Sequence, residues 1–273
     1  MKKFDGVLIC TDLDGTLLND KREISAENKE AIEYFKREGG CFTFVTGRMP
    51  FYAKDMYREV GPNVPIGCVN GGGVYDFVSG KYIYTVELPK SVCELVRCVD
   101  NALPDVGIQV NTFQKVYFCK ENKTMAGFRR ITGVSNLKCG YDEIEEPMAK
   151  IIFGCETESE IQAVISILSS HPRTGEFDYI RSEKTLFEIL PKGVGKGNAI
   201  KKLAEYLNID ISRTVAIGDY NNDISMFKAA GISIAVENAT PDAKAAARFM
   251  TVSNNDHAVA RVIYDIEKGV YPI

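Results

Sequence analysis

The chain has 273 residues with 33 basic and 37 acidic side chains, a formal net charge of −4, and is 45% hydrophobic and 26% charged. This composition excludes a disordered or fibrous chain, and the mild acidity argues against a basic nucleic-acid-binding face or a polybasic membrane anchor. Only His171 and His257 are histidines, so multi-histidine metal centres are excluded and chemistry falls to carboxylates and lysines.

In chain order, Gly6 to Thr11 is a short continuous apolar run ending at Asp12, the pattern of a strand buried on both faces. Ser25 is placed to cap a helix whose stripe is Ala31, Ile32 and Phe35, and Gly39-Gly40 stops it. A second apolar run, Cys41 to Val45, completes a βαβ unit. From about residue 85 to 190 the rhythm changes. A helix marked by Val92, Leu95, Val96, Val99 and Leu103 precedes strand-like stretches at Gly107 to Phe113 and Lys115 to Cys119. A strand at Lys150 to Phe153 leads to a second helix opened by the capping box Thr157-x-x-Glu160, then strands near Phe177 to Ile180 and Thr185 to Leu190. Helix followed by two strands thus occurs twice; the polar segment 120–148 carries no assignment. Beyond it come a helix at Gly197 to Leu207, a strand at Thr214 to Ile217, and a short helix with Ile224, Met226 and Phe227. A strand at Ile232 to Val236, a last strand near Phe249 to Val252 and a helix through Val259, Val262 and Ile263 end the chain. The expected fold is α/β: a doubly wound parallel-sheet, Rossmann-like core at 1–84 and 191–273, with an inserted α+β domain at 85–190.

Cys10 and Cys41 sit in or beside apolar runs, Cys93 and Cys98 flank a helical stripe, and with no C-x-x-C the eight cysteines read as reduced core thiols. No segment approaches 18 consecutive apolar residues, and the first residues run into acidic ones, unlike a signal peptide. The expectation is a cytoplasmic monomer without nucleic-acid or membrane partners.

The chemistry-bearing residues cluster where apolar runs end: Asp12-Leu13-Asp14-Gly15-Thr16, Thr46-Gly47-Arg48, and Gly218-Asp219-Tyr220-Asn221-Asn222-Asp223. In a parallel sheet these ends share the edge at which ligands bind. A lone aspartate in a post-strand turn is ordinarily a cap or Asx-turn. Four converging ones, Asp12, Asp14, Asp219 and Asp223, would repel unless a cation neutralised them, and all-oxygen ligation selects a hard ion, Mg2+.

With a Gly-x-x-Lys-Gly lysine at 196, these segments resemble, in order, the four signatures of the haloacid dehalogenase superfamily, and the large insert resembles the α/β cap of its Cof-like sugar-phosphatase branch. The resemblance spans essentially the whole chain. It implies a phosphatase acting on small phosphorylated metabolites, sugar phosphates first, with the cap closing over the cleft. Asp12 would attack phosphorus to form an aspartyl-phosphate, and Asp14 would act as general acid and base. Asp12, the backbone carbonyl of Asp14, and Asp219 would hold Mg2+. Thr46, the backbone near Gly47, and Lys196, preferred over Lys192 on spacing, would bind the phosphoryl group. Asn222 would touch phosphate or water, Asp223 would orient Lys196 or a metal-bound water, and Arg48 either contacts substrate or is solvated. Two departures stand out: Asn70-Gly71-Gly72-Gly73 where the family often has Asn-Gly-Ala, and Gly195 where it often has Ser or Asp. Asn-Gly is also a hairpin-turn pair. A phosphosugar mutase and a non-catalytic phosphometabolite-binding module are the alternatives. His171 and His257 read as solvated or structural, and Phe113, Tyr117 and Tyr179 as packing residues or pocket lining.

Overall fold

In the computed structural model, which describes residues 2–133 and 138–273, the first apolar run is strand β1 (Leu8–Thr11), buried at every position. Helix α1 (Ala26–Arg37) begins where Ser25 accepts a hydrogen bond from the Asn28 N–H, and buries Ala31, Ile32 and Phe35, as the apolar spacing predicts. Strand β2 (Cys41–Phe44) completes the βαβ unit. Helix α2 (Pro50–Val60) has no counterpart in the sequence reading because only Pro50, Ala53 and Val60 are buried. Its signals are terminal instead, Pro50 in the first turn and Gly61 in a left-handed cap. Strands β3 (Ile66–Cys68), β4 (Gly73–Asp76) and β5 (Lys81–Thr85) make a small sheet in that order.

The middle of the chain runs α3 (Val92–Ala102), β6 (Gly107–Thr112), β7 (Val116–Lys120), α4 (Lys123–Thr132), β8 (Met148–Gly154), α5 (Glu158–Ser170), β9 (Phe177–Glu183) and β10 (Leu186–Pro191). Helix α4 lies in the stretch that carried no assignment. It is bounded by polar punctuation, the Asn122 side chain at its start and left-handed Gly133 at its end. The five strands form an antiparallel sheet in the order β7-β6-β8-β10-β9. Alternate positions, among them Ile108, Val110, Ile151, Phe153 and Ile189, pack with Leu95, Val99, Ile161 and Val164 of α3 and α5. The intervening positions carry buried polar groups: Gln109, Asn111, and an ion pair of Lys150 with Glu188 at 2.8 Å.

The chain continues through α6 (Lys196–Leu207), β11 (Thr214–Gly218), α7 (Ile224–Ala229), β12 (Ile232–Ala235), α8 (Pro241–Ala246), β13 (Phe249–Met250) and α9 (Ala258–Glu267). With β1 and β2 its strands build a parallel sheet ordered β13-β12-β11-β1-β2. Residues 1–84 and 195–273 form one compact unit and residues 85–194 another. In the first unit the chain leaves β1 for β2 on one side and returns to β11 on the other. That reversal falls at the carboxyl ends of β1, β2 and β11, the edge at which ligands bind in such sheets. The eight cysteines are unbridged, but only Cys10, Cys68, Cys93 and Cys155 are buried core thiols; Cys98, on the outer side of α3, is exposed. Among the described residues no helix is long and apolar enough to cross a membrane.

Candidate active site

Asp12 follows β1, its N–H donating to the carbonyl of Ile217 in β11 at 2.8 Å, so sheet pairing fixes its backbone. Lys196 opens α6 and is 1% exposed. Its ammonium donates to Asp12 Oδ1 at 2.6 Å and to Asp223 Oδ1 at 2.5 Å. The other Asp223 oxygen accepts the backbone N–H groups of Asp219 and Tyr220 at 2.9 and 3.0 Å. Asp223 therefore does two positioning jobs, holding the lysine and shaping the loop that carries Asp219.

Carboxylate oxygens of Asp12, Asp219 and Asp223 lie within 4.8 Å of one another. Burial pushes the Asp12 carboxyl up to about 8, with Lys196 pulling down and the charges of Asp223 and Asp219 adding to the rise. Burial and the Asp223 charge likewise raise Asp219 to about 6. Burial alone would lower Lys196, but Asp12 and Asp223 outweigh it and hold the ammonium above its ordinary value. Two buried carboxylates and a half-buried one, Asp219, against one ammonium leave a local negative excess, and the donors are hard oxygens. This set fits a divalent cation.

Asp14 points elsewhere. Its half-exposed carboxylate accepts both of its hydrogen bonds from Arg48 Nη2, at 3.1 and 2.8 Å. Arg48 is thus engaged with Asp14 across neighbouring strand ends. Thr46 is buried, and its hydroxyl oxygen accepts the Arg48 N–H at 3.2 Å, leaving its hydroxyl proton for another acceptor. Asn222 sits half-buried in the turn before α7.

Several supporting residues escaped the sequence reading. Thr16, which carried no role of its own in the sequence, donates its hydroxyl to Asp219 Oδ1 at 2.9 Å. Gly15 has φ 80° and faces the same group; a Cβ would lie 2.6 Å from Asp219 Oδ2, so the glycine serves both the turn and the approach of Asp219. Asn238 donates to the Gly15 carbonyl at 2.7 Å, and the Thr240 N–H to the Asp219 carbonyl at 2.9 Å. Ser225 explains Gly195: a Cβ at 195 would come 2.7 Å from Ser225 Oγ, which accepts the Gly197 N–H at 3.3 Å. The pairing of α6 with α7 that holds Lys196 in place fills the space a side chain at 195 would need. A sequence signal for Ser225 exists only in its position two residues after Asp223.

Lys192 belongs to the other unit and pairs with Asp178 at 2.8 Å. Tyr117 and Tyr179 pack against that unit's apolar cluster, with hydroxyls bonded to Glu146 and Thr174. His171 Nδ1 accepts the Arg173 N–H in the turn after α5, and His257, at φ 61°, precedes α9 with Nδ1 3.4 Å from Glu27.

A family model of haloacid dehalogenase-like hydrolases matches residues 9–263. The chain belongs to the Cof-like branch of the haloacid dehalogenase superfamily. It is 31% identical to a 5-amino-6-(5-phospho-D-ribitylamino)uracil phosphatase of Bacillus subtilis (strain 168), over 96% of this chain and 99% of that one. A haloacid dehalogenase-like hydrolase from Bacteroides thetaiotaomicron superposes with a TM-score of 0.83 at 26% identity, over 95% and 99% of the two chains. A subclass IIB sugar phosphatase superposes at 0.80 and 21% identity, over 97% and 100%, a likeness of fold. The chain is a phosphatase.

Proposed function

We propose that this phosphatase hydrolyses small hydroxylated phosphate monoesters, sugar phosphates among them, with Mg2+ and through an aspartyl-phosphate on Asp12. The observation that carries the reading is the buried ammonium of Lys196 held between Asp12 and Asp223 beside Asp219. The phosphorylated ribityl group in the name of the 31% identical relative supports a phosphorylated polyol as substrate class.

Asp12 and Asp219 would hold Mg2+ by their carboxylates, with the Asp14 carbonyl. When bound, the ion neutralises charge on the phosphate oxygens and lets the anionic ester approach an anionic nucleophile. Lys196 shares that neutralisation and keeps Asp12 Oδ1 aimed. The Thr46 hydroxyl donates to a phosphoryl oxygen. Asp12 attacks phosphorus as the alcohol leaves, and Asp14, carrying a proton and turned away from Arg48, gives that proton to the leaving oxygen; the carboxylate so formed then takes a proton from the water that attacks the phosphoryl group and frees Asp12. Arg48, on the neighbouring strand end, holds the Asp14 carboxylate when it is not engaged with substrate.

The test is Asp12→Asn, assayed by phosphate release with Mg2+ from a panel of alkyl and sugar phosphates. Turnover is expected to vanish, because an amide is neither nucleophile nor anionic ligand. Retention near the wild-type rate on any accepted ester overturns the mechanism.

A further inference from the structure

Two loops carry the carboxylates of the site, one after β1 and one after β11. A third loop, between β12 and α8, carries none of them and touches both. Asn238 donates from Nδ2 to the Gly15 carbonyl at 2.7 Å. Two residues on, the Thr240 N–H donates to the Asp219 carbonyl at 2.9 Å, and the Thr240 hydroxyl to Asn221 Oδ1 at 2.8 Å. The Thr16 hydroxyl, on Asp219 Oδ1 at 2.9 Å, links the first two loops directly. The three loops therefore close a ring of contacts that runs from Gly15 to Asn238, from Thr240 to Asp219, and from Asp219 back to Thr16.

Asn238 is held at both ends. Its Oδ1 accepts the Asn254 N–H at 2.9 Å, and buried Asn254 in turn donates from Nδ2 to the Leu18 carbonyl at 3.0 Å. A carboxamide with donor and acceptor both engaged keeps one orientation. The peptide it grips is the pliable point of the first loop. Gly15, at φ 80°, has no Cβ to restrict rotation, and it lies between the Asp14 carbonyl and the Thr16 side chain. Holding the Gly15 carbonyl restrains the groups on both sides of it. Asn238 bonds to none of the site's carboxylates, so its influence passes through the loop. It is also exposed, and a substitution there leaves no void in the core.

We propose that Asn238 is a positioning residue for the divalent cation: by fixing the Gly15 carbonyl it presets the Asp14 backbone and the Thr16 contact to Asp219 in the arrangement that takes the ion. The inference rests on the metal-dependent reading above and adds a residue that sets metal affinity from outside the carboxylate cluster. Partners that orient metal ligands in this way change affinity about 10- to 100-fold.

The experiment titrates Mg2+ into metal-free protein in a calorimeter, for the wild type, Asn238→Ala and Asn238→Asp. Asn238→Ala removes donor and acceptor together. Asn238→Asp keeps the shape and the bond from Asn254 but sets an oxygen against the Gly15 carbonyl. Both should weaken Mg2+ about tenfold or more, and the Mg2+ concentration for half-maximal phosphate release should rise in step. The added charge in Asn238→Asp by itself favours a cation, so a loss there reports the missing donor. The fitted dissociation constant does not depend on the fraction of protein folded, which enters the stoichiometry instead. Wild-type affinity in either variant overturns the assignment while leaving the metal-dependent chemistry intact. No Mg2+ binding and no Mg2+-dependent turnover by the wild type overturns that chemistry, and this assignment with it.

Discussion

Replacing Lys196 with Met keeps the side chain's length and apolar stem and removes the charge, so it isolates what the ammonium does. At 2.6 and 2.5 Å from Asp12 and Asp223, each contact has a gross attraction of about 6 kcal/mol at an effective dielectric of about 20. Most of that is offset by desolvation, and removing one partner from a buried ion pair costs about 3–5 kcal/mol net. Protonation absorbs part of the loss. Burial already raises Asp12 and Asp219, and without the ammonium both rise further. The folded variant then binds more protons than the unfolded chain, so its deficit in stability grows with pH. Urea unfolding in EDTA should place Lys196→Met about 3 kcal/mol or more below the wild type at pH 8 and closer to it at pH 6. Phosphate release with Mg2+ should fall about 10²- to 10³-fold, as on loss of a donor to developing charge. Equal midpoints at both pH values, or turnover within tenfold of the wild type, would show that Lys196 is not the cation that balances this cluster.

The metal-free wild type should itself lose stability as pH rises from about 4 to about 8. Asp12 and Asp219 are held above the ordinary carboxylate value, to about 8 and about 6, so over that interval the folded state holds more protons than the unfolded one. Mg2+ should consequently stabilise more at pH 8 than at pH 5 in thermal unfolding; a metal-free midpoint that climbs with pH across this range contradicts it. In the antiparallel unit, Glu188→Leu alone should cost about 3–5 kcal/mol by removing the carboxylate paired with the buried Lys150 ammonium, whereas Lys150→Met with Glu188→Leu should recover most of it. Calorimetry of the single and double variants reads this directly, and a double variant as unstable as the sum of the singles refutes the pair's role.

Much of the site was legible because its chemistry is local in sequence. Asp12 and Asp14 follow one apolar run and Asp219 and Asp223 another, and the continuous apolarity of those runs already implied a parallel sheet whose ends meet. The antiparallel unit was legible for a different reason: its helices α3 and α5 have broad apolar stripes, and its strands alternate against them. Helices α2 and α4 were not, since their signals are end caps rather than stripes.

What the sequence by itself determined is the reactive inventory, namely which side chains can attack, ligate and carry charge, and the order in which strand ends present them. Tertiary structure alone decided how those groups partner. That Thr16 supports Asp219, that Arg48 engages Asp14, that Ser225 fills the space left by Gly195, and that Asn238 grips the Gly15 carbonyl all depend on contacts between distant segments. Spacing along a chain fixes which residues share a strand end. It does not fix the distances of a few ångströms across strand ends on which hydrogen bonding and charge balance depend.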